Sequence, residues 1–308
     1  MQYYFAPLEG ITDRIYRQLH QQFFPGIDRY YLPFLSPTVH RALTPREAKE
    51  LPPAHALGYC AIPQLLTKNA QDFNWMAQQC ADLGYPEVNL NLGCPSGTVT
   101  AKQKGSGMLR DLDALDSFLY EIYQDAPLPI SVKTRIGFTE PEEFPALLEI
   151  FNRYPICQLT VHPRVRAAFY KGPVHMDSFR LAAQQSKAPL CYNGDLGTIS
   201  QIAAITEAFP QLSAVMIGRG LVGNPGMLSP GGTDLKTLEQ FHNALFDGYM
   251  ENFGGARNAM FRLKEHWSYM MPHFQGNEKL AKRLRKTTDQ AEFKAIAQEI
   301  FHTLTWQA

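Results

Sequence analysis

The chain has 308 residues, 45% hydrophobic and 19% charged with 22 Gly and 22 Pro, which excludes a disordered chain and exceeds what one small core organises. Lys and Arg balance Asp and Glu at 29 each, so binding of nucleic acid or membrane by bulk charge is excluded, and only a local basic patch is left open.

The amino-terminal stretch MQYYFAPLEG has no basic segment followed by an apolar one, and no apolar run reaches membrane-spanning length. A cytoplasmic protein with no membrane association is expected. Short apolar runs then recur along the chain: YYFAPL, RYYLPF, GYCAIPQLL, EVNLNL, LPISVKT, CQLTVH, PLCYNGD and AVMIGRG. Amphipathic segments such as DFNWMAQQCADLG, LDALDSFLYEIYQDA, FPALLEIFNRY and TISQIAAITEAFP lie between them. Strand and helix in alternation imply parallel pairing through right-handed crossovers, and these eight units predict an α/β fold, a (β/α)8 TIM barrel. The proline-rich stretch SPTVHRALTPREAKELPPAH reads as an irregular loop.

After the last unit, GNPGMLSPGGTD reads as a linker, and from residue 235 on the strand signals cease. Four helical segments follow: LKTLEQFHNALFDGYMENF, ARNAMFRLKEHWSYMM, NEKLAKRLRKTT and QAEFKAIAQEIFHTL. The expected organisation is a catalytic barrel over 1–230 and a smaller C-terminal helical domain over 231–308. From Gly255 to Gln290 eight basic residues face three acidic ones, a local net of 8 − 3 = +5. Such a run fits a solvated helix face or an RNA-contacting surface.

The five cysteines, Cys60, Cys80, Cys94, Cys157 and Cys191, form no C-x-x-C pair and follow no metal-ligand spacing, so reduced thiols and no metal are expected. Four lie in apolar runs or on helical faces, where a buried, inert thiol is expected. Cys94 stands apart, in a Gly-Cys-Pro turn directly after an apolar run and before the small-residue loop SGTVTAKQKGSG, which could move over a substrate. A thiol so placed suits a nucleophile or a proton donor.

In a barrel the residues that close each strand line the active site. Here they are Gln64, Asn89, Asn91, Lys133, Arg135, His162, Asn193, Asp195 and Arg219. Each alone could cap a turn, but their arrival together points to a site. Gly218, Gly220 and Gly223 have G-x-G-x-x-G order, yet they follow the eighth strand, which favours a phosphate-binding barrel loop over a dinucleotide fingerprint. A phosphate site with Lys133 at the fifth strand end suggests flavin mononucleotide.

These ordered motifs resemble the tRNA-dihydrouridine synthases, flavoenzymes that saturate the 5,6 double bond of uridines in tRNA. APLEGITDRIYR is similar to the family's opening stretch with Leu8 in place of Met, and PQLL, NLNLGCPSGTVTAKQKGSGML, SVKTRIG, VHPRVR, YNGD and MIGRG follow in the family's order over nearly the whole chain. The resemblance implies that Pro7, Leu8, Glu9, Gln64, Lys133, His162, Asn193, Gly194, Asp195, Gly218 and Arg219 hold FMN. It implies Cys94 as the catalytic acid, Asn91, Arg164, Arg166 and Tyr170 as substrate-binding residues, NADPH or NADH as reductant, and tRNA as partner; a monomer is expected. Under it the basic tail becomes an RNA-contacting surface. His162-Pro163-Arg164-Val165 departs from the family's His-Gly-Arg-Thr. The rival readings are a barrel flavoenzyme acting on a free pyrimidine, as dihydroorotate dehydrogenases do, and a redox-inactive RNA-binding relative.

Overall fold

The computed structural model describes residues 1–39 and 41–307. Nine short parallel strands form one sheet: β1 (Gln2–Phe5), β2 (Arg29–Tyr31), β3 (Ala61–Ile62), β4 (Gln64–Leu65), β5 (Val88–Leu92), β6 (Ile130–Arg135), β7 (Leu159–His162), β8 (Leu190–Tyr192) and β9 (Ala214–Ile217). Their order, β3-β2-β1-β9-β8-β7-β6-β5-β4, begins and ends on segments that are neighbours in the chain. Pro63 divides them: lacking an N–H it interrupts the ladder, while its carbonyl accepts from Asn89 N at 2.8 Å. β3 and β4 are thus two halves of one third strand, one pairing with β2 and the other with β5, and the predicted eight-stranded barrel is the observed one.

Alternation along the strands decides which residues line the interior. The register aligns Gln64, Asn89 and Ser131 in one layer, then Asn91, Lys133, Thr160 and Cys191, then Arg135 with His162. The alternate positions, Leu90, Leu92, Val132, Leu159, Val161 and Leu190, are buried beneath the covering helices. Those helices are capped as the sequence dictates: Asn69 accepts from Asp72 N at 2.8 Å at the start of Ala70–Asp82, which buries Phe73, Met76, Ala77 and Cys80.

The segment expected to be an irregular loop contains a helix, Pro45–Glu50, started by a capping box in which Thr44 and Glu47 satisfy each other's backbone N–H. The supposed linker is packed: Leu221 to Met227 are buried, and Gly226 N donates to Thr233 Oγ1 at 2.9 Å.

The chain forms two compact units. The first comprises Met1–Pro7, Asp28–Asp195 and Ala204–Met216. The second comprises Leu8–Ile27, Leu196–Ala203 and Ile217–Ala308, so it includes the first βα loop and its helix, Arg14–Phe23, as well as the tail. The tail's four expected helices are Leu235–Phe253, Ala256–Met270, Glu278–Lys286 and Gln290–Thr303. Trp267 is 1% exposed at the centre of the second unit and donates to His242 Nε2 at 3.1 Å, which fixes that imidazole as an Nδ1–H tautomer facing Asn243 Oδ1 at 3.1 Å. Among the described residues no helix is long and apolar enough to cross a membrane.

Candidate active site

The site in the first unit is built around the turn that follows β5. Asn91 Oδ1 accepts from Gly93 N at 3.0 Å and Cys94 N at 2.9 Å. Because two backbone donors claim that oxygen, Asn91 Nδ2 must point the other way, and it donates to Gln64 Oε1 at 2.7 Å. Gln64 Nε2 in turn donates to Asn89 Oδ1 at 2.8 Å, and Asn89 Nδ2 to Ser131 Oγ at 2.8 Å. The amide orientations are therefore forced one after another, from the Cys94 turn down into the barrel. Three of these side chains, Gln64, Asn89 and Ser131, are at most 1% exposed.

The carbonyl side of the turn is held as firmly. Ser106 Oγ donates to Cys94 O at 2.7 Å and Ser106 N donates to the same oxygen at 3.2 Å. Arg135 Nε reaches Gly93 O at 2.9 Å, and Arg166 Nε reaches Pro95 O at 3.2 Å. The loop that sequence alone allowed to swing is tied down by these bonds, with a short helix at Gly97–Thr100 and a 3-10 turn at Gly105–Arg110. The role of Ser106 went unnoticed in the sequence; its signal is a small hydroxyl between Gly105 and Gly107, in a stretch too crowded for anything larger.

Lys133 lies opposite Asn91 in the β5–β6 register. No hydrogen-bond acceptor among the described residues meets its ammonium. Burial, followed by the like charge of Arg135, pushes its pKa down to about 8. Arg135 is itself 1% exposed and driven down to about 10, mainly by burial. Two cations crowd this end of the barrel, and the Cys94 thiol lies within electrostatic reach of both.

His162, 7% exposed, closes β7 and stacks on Tyr170 with ring centroids 6.2 Å apart. Arg164 Nη1 approaches its Nε2 at 3.3 Å; a guanidinium only donates, so the imidazole proton sits on Nδ1. Arg164, 2% exposed, is otherwise committed to Asp195 through both terminal nitrogens, Nη1–Oδ1 being 2.8 Å, and to Gly172 O. That pairing holds the Arg164 guanidinium above its ordinary range. Asn193 Nδ2 donates to Met216 O at 2.8 Å, joining the last two strands.

The lip carries alternating cations and rings. The Arg110 guanidinium lies 3.7 Å from the Phe138 ring centre, Arg166 lies 5.1 Å from the same ring, and Arg166 lies 5.0 Å from Phe169. Phe169 is 42% exposed with φ 51°, a positive value that costs a phenylalanine free energy and tends to occur at functional sites. Tyr170 beside it is 54% exposed.

Of the other site candidates, Pro7 and Leu8 are half-buried and Glu9 is exposed on the first βα loop. Gly218 and the exposed Arg219 open the five-residue helix Arg219–Gly223. Within the second unit a Cβ on Gly220 would collide with Leu196 O and come within 3.0 Å of Gly197 Cα, so only glycine lets these two backbones meet. Of the other four cysteines, Cys80 and Cys191 are buried and Cys157 is half-buried, but Cys60, just ahead of β3, is exposed, against expectation.

The description of one protein family, dihydrouridine synthase (Dus), matches residues 4–305. The chain belongs to the dihydrouridine synthase family. The resemblance carried by its Gly-Cys-Pro, lysine and Gly-Arg-Gly blocks is thereby borne out. Relatives of this dihydrouridine synthase family member include a probable tRNA-dihydrouridine synthase of Rhizobium leguminosarum bv. phaseoli, 26% identical over 97% of this chain and 94% of the relative. Another, from Rickettsia bellii, is 30% identical over 76% of this chain and 72% of its own. The tRNA-dihydrouridine synthase B of Proteus vulgaris is 28% identical over 71% and 67%. Among solved structures, a variant of NCR from Zymomonas mobilis superposes with TM-score 0.51 at 15% identity, covering 73% of this chain and 83% of that one. Morphinone reductase in complex with tetrahydroNAD superposes with TM-score 0.50 at 11% identity over 73% and 85%. These likenesses establish a shared barrel fold.

Proposed function

We propose that this protein reduces the 5,6 double bond of uridines in tRNA, using FMN with NADPH or NADH as reductant and Cys94 as proton donor. The observation that carries the reading is the Cys94 turn, pinned on both sides, together with the half-buried Lys133, whose ammonium meets no hydrogen-bond acceptor among the described residues. Such an ammonium suits the electron-rich pyrimidine edge of a flavin, because an anion there offsets the burial that depresses its pKa. Gln64, Lys133 and His162 are assigned to the flavin ring. Gly218 and Arg219, with the close backbone approach at Gly220, are assigned to the phosphate, and Pro7, Leu8, Glu9, Asn193 and Gly194 to its surroundings.

Bound FMN supplies the hydride chemistry. The residues of the chain do the rest. Cys94 holds a proton on Sγ and delivers it to C5 of the uracil, so it must act as a thiol. Asn91 sets the height of that thiol through the Cys94 N–H, and its second Nδ2 hydrogen, beyond the one given to Gln64, is available to a uracil carbonyl. Lys133 and Arg135 offset negative charge that develops on the base. Asp195 acts by orienting Arg164, and through it the His162 tautomer.

The Arg110–Phe138–Arg166–Phe169 column favours a nucleic-acid substrate over a free base, since it offers cations to phosphates and a ring to a neighbouring base. The basic helix Glu278–Lys286, with Lys279, Lys282, Arg283, Arg285 and Lys286, is assigned to further tRNA contact. The test is incubation of tRNA from cells lacking this gene with the protein, FMN and NADPH, followed by mapping of dihydrouridine. New dihydrouridine at defined positions supports the reading. Unchanged tRNA, or a protein that takes up no flavin and shows no absorbance near the oxidised-flavin band at roughly 450 nm, overturns it.

A further inference from the structure

The turn Leu8–Thr12, which carries two of the residues assigned to FMN, is gripped by side chains from elsewhere in the second unit. Inside the turn, Leu8 N donates to Thr12 Oγ1 at 2.9 Å, and Ile11 N and Thr12 N both donate to Leu8 O at 3.0 Å. That closed geometry directs three successive carbonyls outward. Arg262 Nη1 donates to Gly10 O, His266 Nε2 faces Ile11 O at 3.1 Å, and Arg17 Nη1 donates to Thr12 O at 2.6 Å. Arg262 and His266 are one turn apart on the tail helix Ala256–Met270.

Both residues are built into place. His266 is 1% exposed and stacks between Tyr16, at 5.0 Å and 8°, and Tyr249, at 5.8 Å and 28°. Its Nδ1 faces Arg262 O at 3.0 Å, an oxygen that already lies in the helix ladder. A neutral imidazole has one N–H, and placing it on Nε2 leaves Ile11 O satisfied. Arg262 is steadied by Glu265 at 2.8 Å. Gly10 has φ +76°, and a Cβ there would lie 3.1 Å from Arg262 Nη1, so the glycine both makes the turn and admits the guanidinium. Tyr249 Oη donates to Asp13 Oδ1 at 3.2 Å, which also caps the following helix through Tyr16 N at 3.0 Å.

We propose that Arg262 and His266 are positioning residues for the flavin: by holding the carbonyls of Gly10 and Ile11 they fix the turn bearing Leu8 and Glu9, so a tail helix sets cofactor affinity. This rests on the reading that those two residues contact FMN. It gives the tail a task besides binding RNA, and removal of residues 235–308 is then expected to cost flavin as well as tRNA.

The experiment compares the full-length protein with R262M, R262K and H266Q. FMN affinity is read by quenching of flavin fluorescence, backbone amide exchange is followed over residues 8–12, and tRNA affinity is measured by filter binding. R262M should raise the FMN dissociation constant about tenfold, the order expected for losing one charge-assisted hydrogen bond. R262K should recover part of that loss, and H266Q should lose flavin affinity with tRNA binding unchanged, being buried away from any RNA. Exchange over residues 8–12 should quicken in R262M and H266Q, with global melting temperatures close to wild type in R262M, whose side chain is partly exposed. Wild-type FMN affinity in R262M and H266Q overturns the inference alone, whatever the exchange rates. A wild-type protein that binds no FMN overturns the flavin reading and this inference with it.

Discussion

Replacement of Asn91 separates the thiol's support from its chemistry. Asn91→Ala removes three hydrogen bonds at once: two that hold the N–H groups of Gly93 and Cys94 and one to Gln64. At roughly 1 kcal/mol net each, the three bonds sum to about 3 kcal/mol, and water entering the vacated space to satisfy the stranded groups should bring the loss nearer ~2 kcal/mol. Catalysis should suffer more than stability. A thiol displaced by about 1 Å can lose about 100-fold in rate, so tRNA-dependent turnover should fall by that order while NADPH still reduces the flavin. Asn91→Asp is the informative control. Its carboxylate accepts both backbone N–H groups, and the amide chain can invert: Gln64 Nε2 turns to the new carboxylate, Gln64 Oε1 accepts from Asn89 Nδ2, and Asn89 Oδ1 accepts from the Ser131 hydroxyl, which serves as donor or acceptor. Most of the lost stability should return, and the new anion opposite Lys133 should raise that lysine's pKa above about 8. Urea unfolding gives the stabilities and single-turnover kinetics give the rate. An Asn91→Ala variant within about threefold of wild-type turnover would refute the claim that this residue places the thiol.

Two further outcomes follow from the same geometry. Asp195→Ala strands a guanidinium that is 2% exposed; because the aspartate side chain is 48% exposed and the site partly solvated, the expected loss is about 1–2 kcal/mol, and an unchanged urea midpoint would contradict the pairing. His20, His242 and His266 are held neutral by burial, with pKa values near 3, 4 and 4 against 6.5 when unfolded. The unfolded chain therefore binds more protons between these limits. Stability should be full above about pH 6.5 and decline as pH falls towards 4, and a urea midpoint flat across that window would show that these imidazoles are not buried as described.

The barrel was legible because short strand-like runs, each closed by a polar residue, alternate with longer amphipathic helical segments along the chain. The split of the third strand was not, since GYCAIPQLL reads as one run and only the ladder shows that Pro63 divides it into two halves with different partners. The helix Pro45–Glu50 did announce itself through Thr44 and Glu47, but six residues among prolines carry no apolar period. Cys94 and Lys133 stood out through their neighbours in sequence. What their partners do was hidden: Arg164 and Asp195 are 31 positions apart, and their union depends on strand register. The grip of Arg262 and His266 on the first loop spans some 250 positions and leaves no local trace. An imidazole on an amphipathic helix likewise gives no sign of whether it faces water or a core.

The central claim, that Cys94 delivers the proton that completes uridine reduction, is tested most directly by anaerobic stopped-flow. The flavin is first reduced with NADPH, unmodified tRNA is added, and the return of absorbance near roughly 450 nm is followed in wild type and Cys94→Ala. Rapid tRNA-dependent return in the wild type, with return slowed by about 100-fold or more in the variant despite normal reduction by NADPH, is the predicted result. Equal rates of return in both would contradict it.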